Sequence, residues 1–180
     1  MANTGPPPNG DIQEVFDVAA REYRALADFA RGHGARIALE PLSAALMNVE
    51  TAIWTLEQAM RIVAAVDRDN FGVCVDTWNV WHNPDVVEEI KACGDRIFVV
   101  HVSDWRTPRS FADRRIVGQG EIPLPALIRA IYESGYRGAY TLEILSQDVP
   151  DSLWEADLSR VIEDSRIGLE KAWRGADVSS

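Results

Sequence analysis

Apolar residues recur at helical spacing through Val15, Phe16, Val18, Ala19, Tyr23, Leu26, Ala27, Phe29 and Ala30, which predicts an amphipathic helix. Asp11 opens it with Glu14 three residues on as capping partner, and Gly32 and Gly34 close it. Residues 3–10 ahead of it, rich in proline and glycine, read as a loop. A short apolar strand follows over residues 36–40, stopped by Pro41. The same alternation returns three times. Thr55 and Gln58 form a capping box for a helix running to Val66, and residues 71–75 form a strand ending in Asp76. Residues 84–93 form a helix backed by Gly94, and residues 97–100 a strand ending in His101. Residues 123–134 form a helix backed by Gly135, and residues 139–142 a strand ending in Glu143. A last helix is expected over residues 155–173, with residues 175–180 as a frayed polar tail.

Strands alternating with helices predict an α/β fold whose sheet is parallel, with four strands and five helices in one domain. The strands are almost continuously apolar, as expected when both faces are covered. With 180 residues, 47% hydrophobic and 26% charged, the chain can bury a sizeable core, which excludes disordered and fibrous classes. Its 18 Lys+Arg against 28 Asp+Glu leave a net charge of −10, which argues against nucleic acid and anionic membrane as partners. No apolar run approaches the roughly 20 residues of a membrane span, and no secretory signal pattern is present. Two cysteines, Cys74 and Cys93, suit a reduced, cytoplasmic chain with inert thiols.

Each strand ends in a side chain able to bind a metal: Glu40, Asp76, His101 and Glu143. In parallel α/β folds that edge gathers ligands and catalytic groups. Three carboxylates and one imidazole suit a hard or borderline divalent cation: Mn²⁺ before Mg²⁺, Co²⁺ or Zn²⁺. Four strands side by side in a flat sheet span roughly 14 Å, so one ion can be shared only if the sheet curls as in a (β/α) barrel. A full (β/α)₈ barrel takes roughly 250 residues, and four strands make a partial one. Either the chain is the C-terminal half of a longer protein or two copies complete each other, and the first is preferred.

The segments IALEPL, GVCVDTWNVW, VVHVSDW, RRIVGQGEIP and YTLEIL, in this order, resemble the second half of the xylose isomerase-like TIM barrels, the sugar phosphate isomerase/epimerase superfamily. In that register residues 1–174 form the C-terminal half, and residues 1–10 correspond to the end of the fourth strand and its loop. The resemblance implies that Glu40, Asp76, His101 and Glu143 hold one divalent metal, with Glu40 and Glu143 doubling as the acid/base pair. It implies a sugar or polyol-derived ketone as substrate, with proton transfer through a metal-bound cis-enediolate. Isomerisation and epimerisation use this constellation, as does dehydration of the inosose or dehydroshikimate type. A metal-binding fragment without turnover is the other alternative. Where the family has a substrate-contacting His, this chain has Asn79, and Arg114 is the nearest match to the Arg that precedes Gly-x-Gly. The endonuclease IV-like members need further histidines, and Asn79 and Arg115 stand at two of those positions, so that branch is excluded.

Other residues carry paired readings. His82 is either a helix-entry residue or a group at the mouth of the site. Trp78, Trp81 and Trp105 either wall a sugar pocket or pack on helices. Arg106, Arg109 and Arg114 form an anion clamp or a solvated loop. Asn48 contacts ligand or makes a turn, Asp104 orients His101, and Trp54, Trp154 and Trp173 pack in the core.

Overall fold

The structure, a computed structural model, describes residues 1–110 and 112–178, apart from the side chain of Pro8. Strands β1 (Ile37–Leu39), β2 (Phe71–Asp76), β3 (Ile97–Val102) and β4 (Tyr140–Leu142) pair in sequence order, each parallel to the next. They alternate with α1 (Ile12–Gly32), α2 (Leu56–Val66), α3 (Thr77–Val80), α4 (Val86–Cys93), α5 (Leu124–Glu133) and α6 (Leu158–Gly175). The expected partial barrel is therefore present, but with six α-helices among the described residues rather than five. The additional one, α3, is a single turn whose first free N–H, that of Trp78, is capped at 2.8 Å by the Asp76 carboxylate. Four residues are too few to show a helical period, which is why the pattern missed it.

The Asp11 carboxylate caps α1 as expected, accepting the N–H groups of Gln13 and Glu14, but only Thr55 and Gln58 form the full reciprocal capping box. Helix α6 starts at Leu158 instead of residue 155 because the Asp157 carboxylate accepts the N–H groups of Ser159 and Arg160. At its other end the expectation of a frayed tail is corrected. The helix runs to Gly175, and Ala176 is buried with its carbonyl accepting a bond from Arg129 Nε at 2.7 Å. Ser179 and Ser180 lie outside the described residues.

One face of the sheet, with Leu39, Val73, Val75, Val100 and Val102, packs under the helices in a single core that includes Leu56, Ile62, Ile90, Leu127 and Ile131. The other face carries Cys74, Asp76, His101 and Thr141, by alternation and register. Among the described residues, no further strand flanks β1 or β4. Beside β1, Ala2 makes one parallel rung: its N–H donates to Ala38 at 2.9 Å and its carbonyl accepts from Glu40 at 2.8 Å. This is where the family register places the end of a preceding strand. Beyond β4, Trp154, expected in the core, is 55% exposed over an apolar hollow of about 690 Å³ lined by Leu142, Ile144, Leu153 and Leu158. Its indole is held by a bond to the Ile144 carbonyl, so it roofs the open flank instead of packing inside. Trp173 packs as expected, edge-on to Tyr132 and Tyr140. Among the described residues no helix is long and apolar enough to cross a membrane.

Candidate active site

Register decides whether the four strand-end groups can meet. Between the pairs Val73↔Ile97 and Cys74↔Val99, β3 carries one residue more than β2. That irregularity sets His101, rather than Val100, opposite Asp76 and on the same face of the sheet. Gly72 permits it, because a Cβ there would meet the Arg96 carbonyl and, at 2.9 Å, the Phe98 ring.

One ligand atom from each of Glu40, Asp76, His101 and Glu143 lies within 4.8 Å of the others. A flat sheet would hold the outer strands roughly 14 Å apart, so the curl inferred from the sequence is what brings them together. Glu40, Asp76 and His101 are buried and Glu143 is half-buried. His101 Nδ1 sits 3.4 Å from Glu143 Oε1 and 3.8 Å from Glu40 Oε1, yet it is buried with no hydrogen bond to either. A buried imidazole nitrogen without a hydrogen bond, set between carboxylate oxygens, is a donor set that fits a divalent ion.

The positive charge inside the cluster is Arg114. Its Nη1 donates to Asp76 Oδ2 at 2.7 Å, to Glu143 Oε2 at 2.9 Å and to the Glu143 carbonyl at 3.2 Å. Its guanidinium carbon lies 4.9 Å over the Trp78 ring. Asn79 Nδ2 donates to Glu40 Oε1 at 3.3 Å and Asp76 Oδ2 at 3.1 Å, while its Oδ1 accepts the Ser43 N–H at 3.0 Å. Both residues marked by the resemblance for substrate contact therefore touch the strand-end carboxylates directly.

A cavity of about 290 Å³ opens on Glu40, Asn79, Arg114 and Glu143. Asn3, Leu42, Glu50, Leu145 and Gln147 also line it, and sequence reasoning passed over all five. The position of Gln147 four residues beyond Glu143 was an available signal for one of them. A second cavity of about 320 Å³ is walled by Trp78, Trp81 and Trp105, with Ser43, His82 and Arg109 at its border. Trp81 and Trp105 stack at 5.7 Å, and Trp78 separates the two spaces. His82 is exposed and stands edge-on to Trp81, at the mouth of the tryptophan cavity and not among the four strand-end residues.

Arg109 is no free anion clamp, since it is paired with buried Asp113 and bidentately, at 2.7 Å, with Asp151. Asn48 makes a turn, with φ of 63° and its N–H on the Thr51 carbonyl. Asp104 does not orient His101. Its carboxylate accepts the backbone N–H groups of Trp105 (2.8 Å), Gly118 (3.0 Å), Gly120 (2.9 Å) and Ile122 (3.1 Å). It thereby winds the Gly118-Gln119-Gly120 loop around itself, while its main chain pairs with Arg115 and anchors the segment carrying Arg114. Asp104→Ala is expected to destabilise the chain by about 3 kcal/mol in urea unfolding, because four backbone donors, that of Ile122 buried and the others part-buried, lose one charged acceptor. A change below about 1 kcal/mol would refute that role.

Three carboxylates at close range shift one another. Burial, then the charges of Asp76 and Glu143, push Glu40 up to about 7. Burial pushes Asp76 up to about 6 against the pull of Arg114. His101 is raised by its approach to Glu143, and that same approach holds Glu143 down at about 2. A carboxylate raised in the folded state favours folding below its unfolded pKa and loses that contribution as pH rises through the folded one. Glu40, Asp76 and His101 all act in this direction between pH 5 and 8, whereas Glu143 opposes them only below its unfolded value. The metal-free chain is thus expected to melt roughly 4 °C or more higher at pH 5.5 than at pH 8. Glu40→Gln should flatten that difference in a thermal scan.

Residues 2–164 match the profile of the family described as xylose isomerase-like TIM barrel. The inosose isomerase of Bacillus velezensis (strain DSM 23117) is 33% identical over 137 residues, covering 73% of this chain and 48% of the relative. The 3-dehydroshikimate dehydratase of Pseudomonas putida (strain ATCC 47054) is 29% identical, over 90% of this chain and 26% of its own. The L-ribulose 3-epimerase of Methylomonas sp. (strain DH-1) is 27% identical, over 74% and 46%. This chain therefore spans about half the length of the inosose isomerase and of the epimerase it matches. Among solved structures, a Sinorhizobium meliloti 1021 protein superposes with a TM-score of 0.83 at 28% identity, over 94% of this chain and 62% of that one. A crystal structure of the IOLI protein with a binding zinc atom superposes with a TM-score of 0.69 at 25% identity, over 97% and 57%.

Proposed function

We propose, since the chain belongs to the xylose isomerase-like TIM barrel family, that residues 1–174 are the C-terminal half of a metal-dependent sugar or sugar phosphate isomerase/epimerase. The observation that carries this reading is the meeting of four strand-end ligands around an imidazole nitrogen with no hydrogen-bond partner. The inosose isomerase and L-ribulose 3-epimerase relatives, named for reactions on polyol-derived ketones and ketoses, support it.

Glu40, Asp76, His101 and Glu143 would hold one divalent cation, Mn²⁺ by the hardness of three carboxylates. Once bound, such an ion polarises the carbonyl and neighbouring hydroxyl of an α-hydroxy ketone and so acidifies the C–H between them. Glu40 and Glu143 come from β1 and β4, the outermost strands of the four, and so flank the substrate position from two sides. One carboxylate removes the proton and the other returns one. Return to the opposite face gives epimerisation, and return to the neighbouring carbon gives isomerisation. Arg114 and Asn79 hold the carboxylates in place, and the cavity beside them receives the rest of the substrate. Trp78 and His82 border the second space, where the far end of a longer substrate would lie. Dehydration is the alternative outcome on this scaffold, supported by the alignment with the dehydratase over 90% of the chain. The open sheet edges are completed by the N-terminal half-barrel, or by a second copy, in the cytoplasm.

Equilibrium dialysis with Mn²⁺ tests the seat, and deuterium incorporation from D₂O into ketoses and inososes tests the chemistry. One ion per chain, lost in His101→Ala, with deuterium at the carbon next to the carbonyl is the expected pair of results. An ion retained in full by His101→Ala would sink the ligand set, and an ion bound without exchange in the completed barrel would sink the proton transfer.

A further inference from the structure

Sequence reasoning took both cysteines as inert, and for Cys93 the structure agrees: it packs in the core with Sγ 3.2 Å from the Glu89 carbonyl. Cys74 stands elsewhere. It lies two residues before Asp76 on β2, so the two side chains share a face of the sheet and the thiol sits one layer deeper. It is fully buried and in no disulfide. Its sulfur and one ligand atom each from Glu40 and His101 all lie within 4.8 Å of one another. The second observation is His101 itself, 7% exposed, with Nδ1 buried and in no hydrogen bond.

The geometry points to a second, deeper metal seat formed by Glu40, Cys74 and His101, for a thiophilic divalent cation such as Zn²⁺ or Cd²⁺. Thiolate and imidazole together select soft and borderline ions, whereas Mn²⁺ and Mg²⁺ prefer the seat with three carboxylates. The two seats share Glu40 and His101, so an ion in one displaces an ion from the other. Binding forms a metal–sulfur bond, and the thiol proton leaves to solvent, with no change of oxidation state. This inference rests on the reading of the strand-end cluster as a metal seat and adds which class of ion it draws deeper.

The test titrates Cd²⁺ alone into the metal-free chain and follows the ultraviolet difference spectrum, with Mn²⁺ affinity measured in parallel by dialysis. A sulfur-to-cadmium charge-transfer band saturating at one ion per chain is expected. It should persist in Cys93→Ala and vanish in Cys74→Ala. That second variant should also bind Cd²⁺ at least roughly tenfold more weakly, with Mn²⁺ affinity kept within about twofold. Since the chain has 2 cysteines, the wild type and Cys93→Ala locate the sulfur even if Cys74→Ala fails to fold. Mn²⁺ binding with no cadmium–sulfur band, or a band lost with Cys93, overturns the deeper seat alone. Failure of both ions to bind overturns the strand-end seat as well.

Discussion

Arg114→Met is expected to lower the stability of the metal-free chain by about 3–5 kcal/mol, the range for breaking a buried ion pair from one side. Asp76 is fully buried, and Arg114 is the positive charge it touches. Without the guanidinium, Asp76 keeps the Trp78 N–H and the Asn79 amide among the described residues, and Glu143 loses its bond at 2.9 Å. The deficit should shrink when Mn²⁺ is added, because an ion bound only by the folded state supplies the missing charge by mass action. Arg114→Lys should fall between the two, since an ammonium keeps the charge but loses the planar guanidinium that lies over the Trp78 ring. Urea unfolding with and without Mn²⁺ measures all of this. A deficit under about 1 kcal/mol, or one that Mn²⁺ leaves untouched, would show that Arg114 is not the charge balancing the cluster.

If the proposed reaction holds, Glu143→Gln in the completed barrel is expected to reduce turnover on the responding ketose by roughly 10³–10⁴-fold, the scale of a lost acid/base group. The amide keeps the shape of the side chain and one oxygen toward His101, so the loss should fall on kcat more than on KM. Deuterium exchange at the substrate carbon should fall in parallel, because the same proton is involved. A variant within about tenfold of the wild type would remove Glu143 from the proton-transfer step and leave it a ligand only.

The fold was legible because the apolar strands, the caps at Asp11 and Thr55 and the glycines behind the helices all announce local structure. The strand ends were legible for the same reason, since a strand that stops at Glu40 or Asp76 puts that side chain at the carboxyl edge. What could not be read was lateral. Whether Asp104 reached for His101 or for the glycine loop depends on how the segment after β3 folds back, and no periodicity records that. The neutralisation of Arg109 by Asp151 spans 42 residues, a separation at which pattern reasoning has no purchase. Trp154 was assigned to the interior by residue type alone, and only the open flank beyond β4 shows why an indole lies on the outside. Asn79 was matched by position, whereas its bonds to Glu40 and Asp76 depend on three strand ends meeting, which no local pattern records.

The last strand carries a consequence of its own. β4 is three residues long, lies at the edge of the sheet, and delivers Glu143. Short edge strands open first in native proteins, so its amides should exchange with solvent long before those of fully buried β2. An ion held by Glu40 and Glu143 would tie the first strand to the fourth, as a clasp closes the two ends of a bracelet. Cation binding and the fraying of β4 would then be one equilibrium, and the rate of ion release would be set by how often the edge strand lets go.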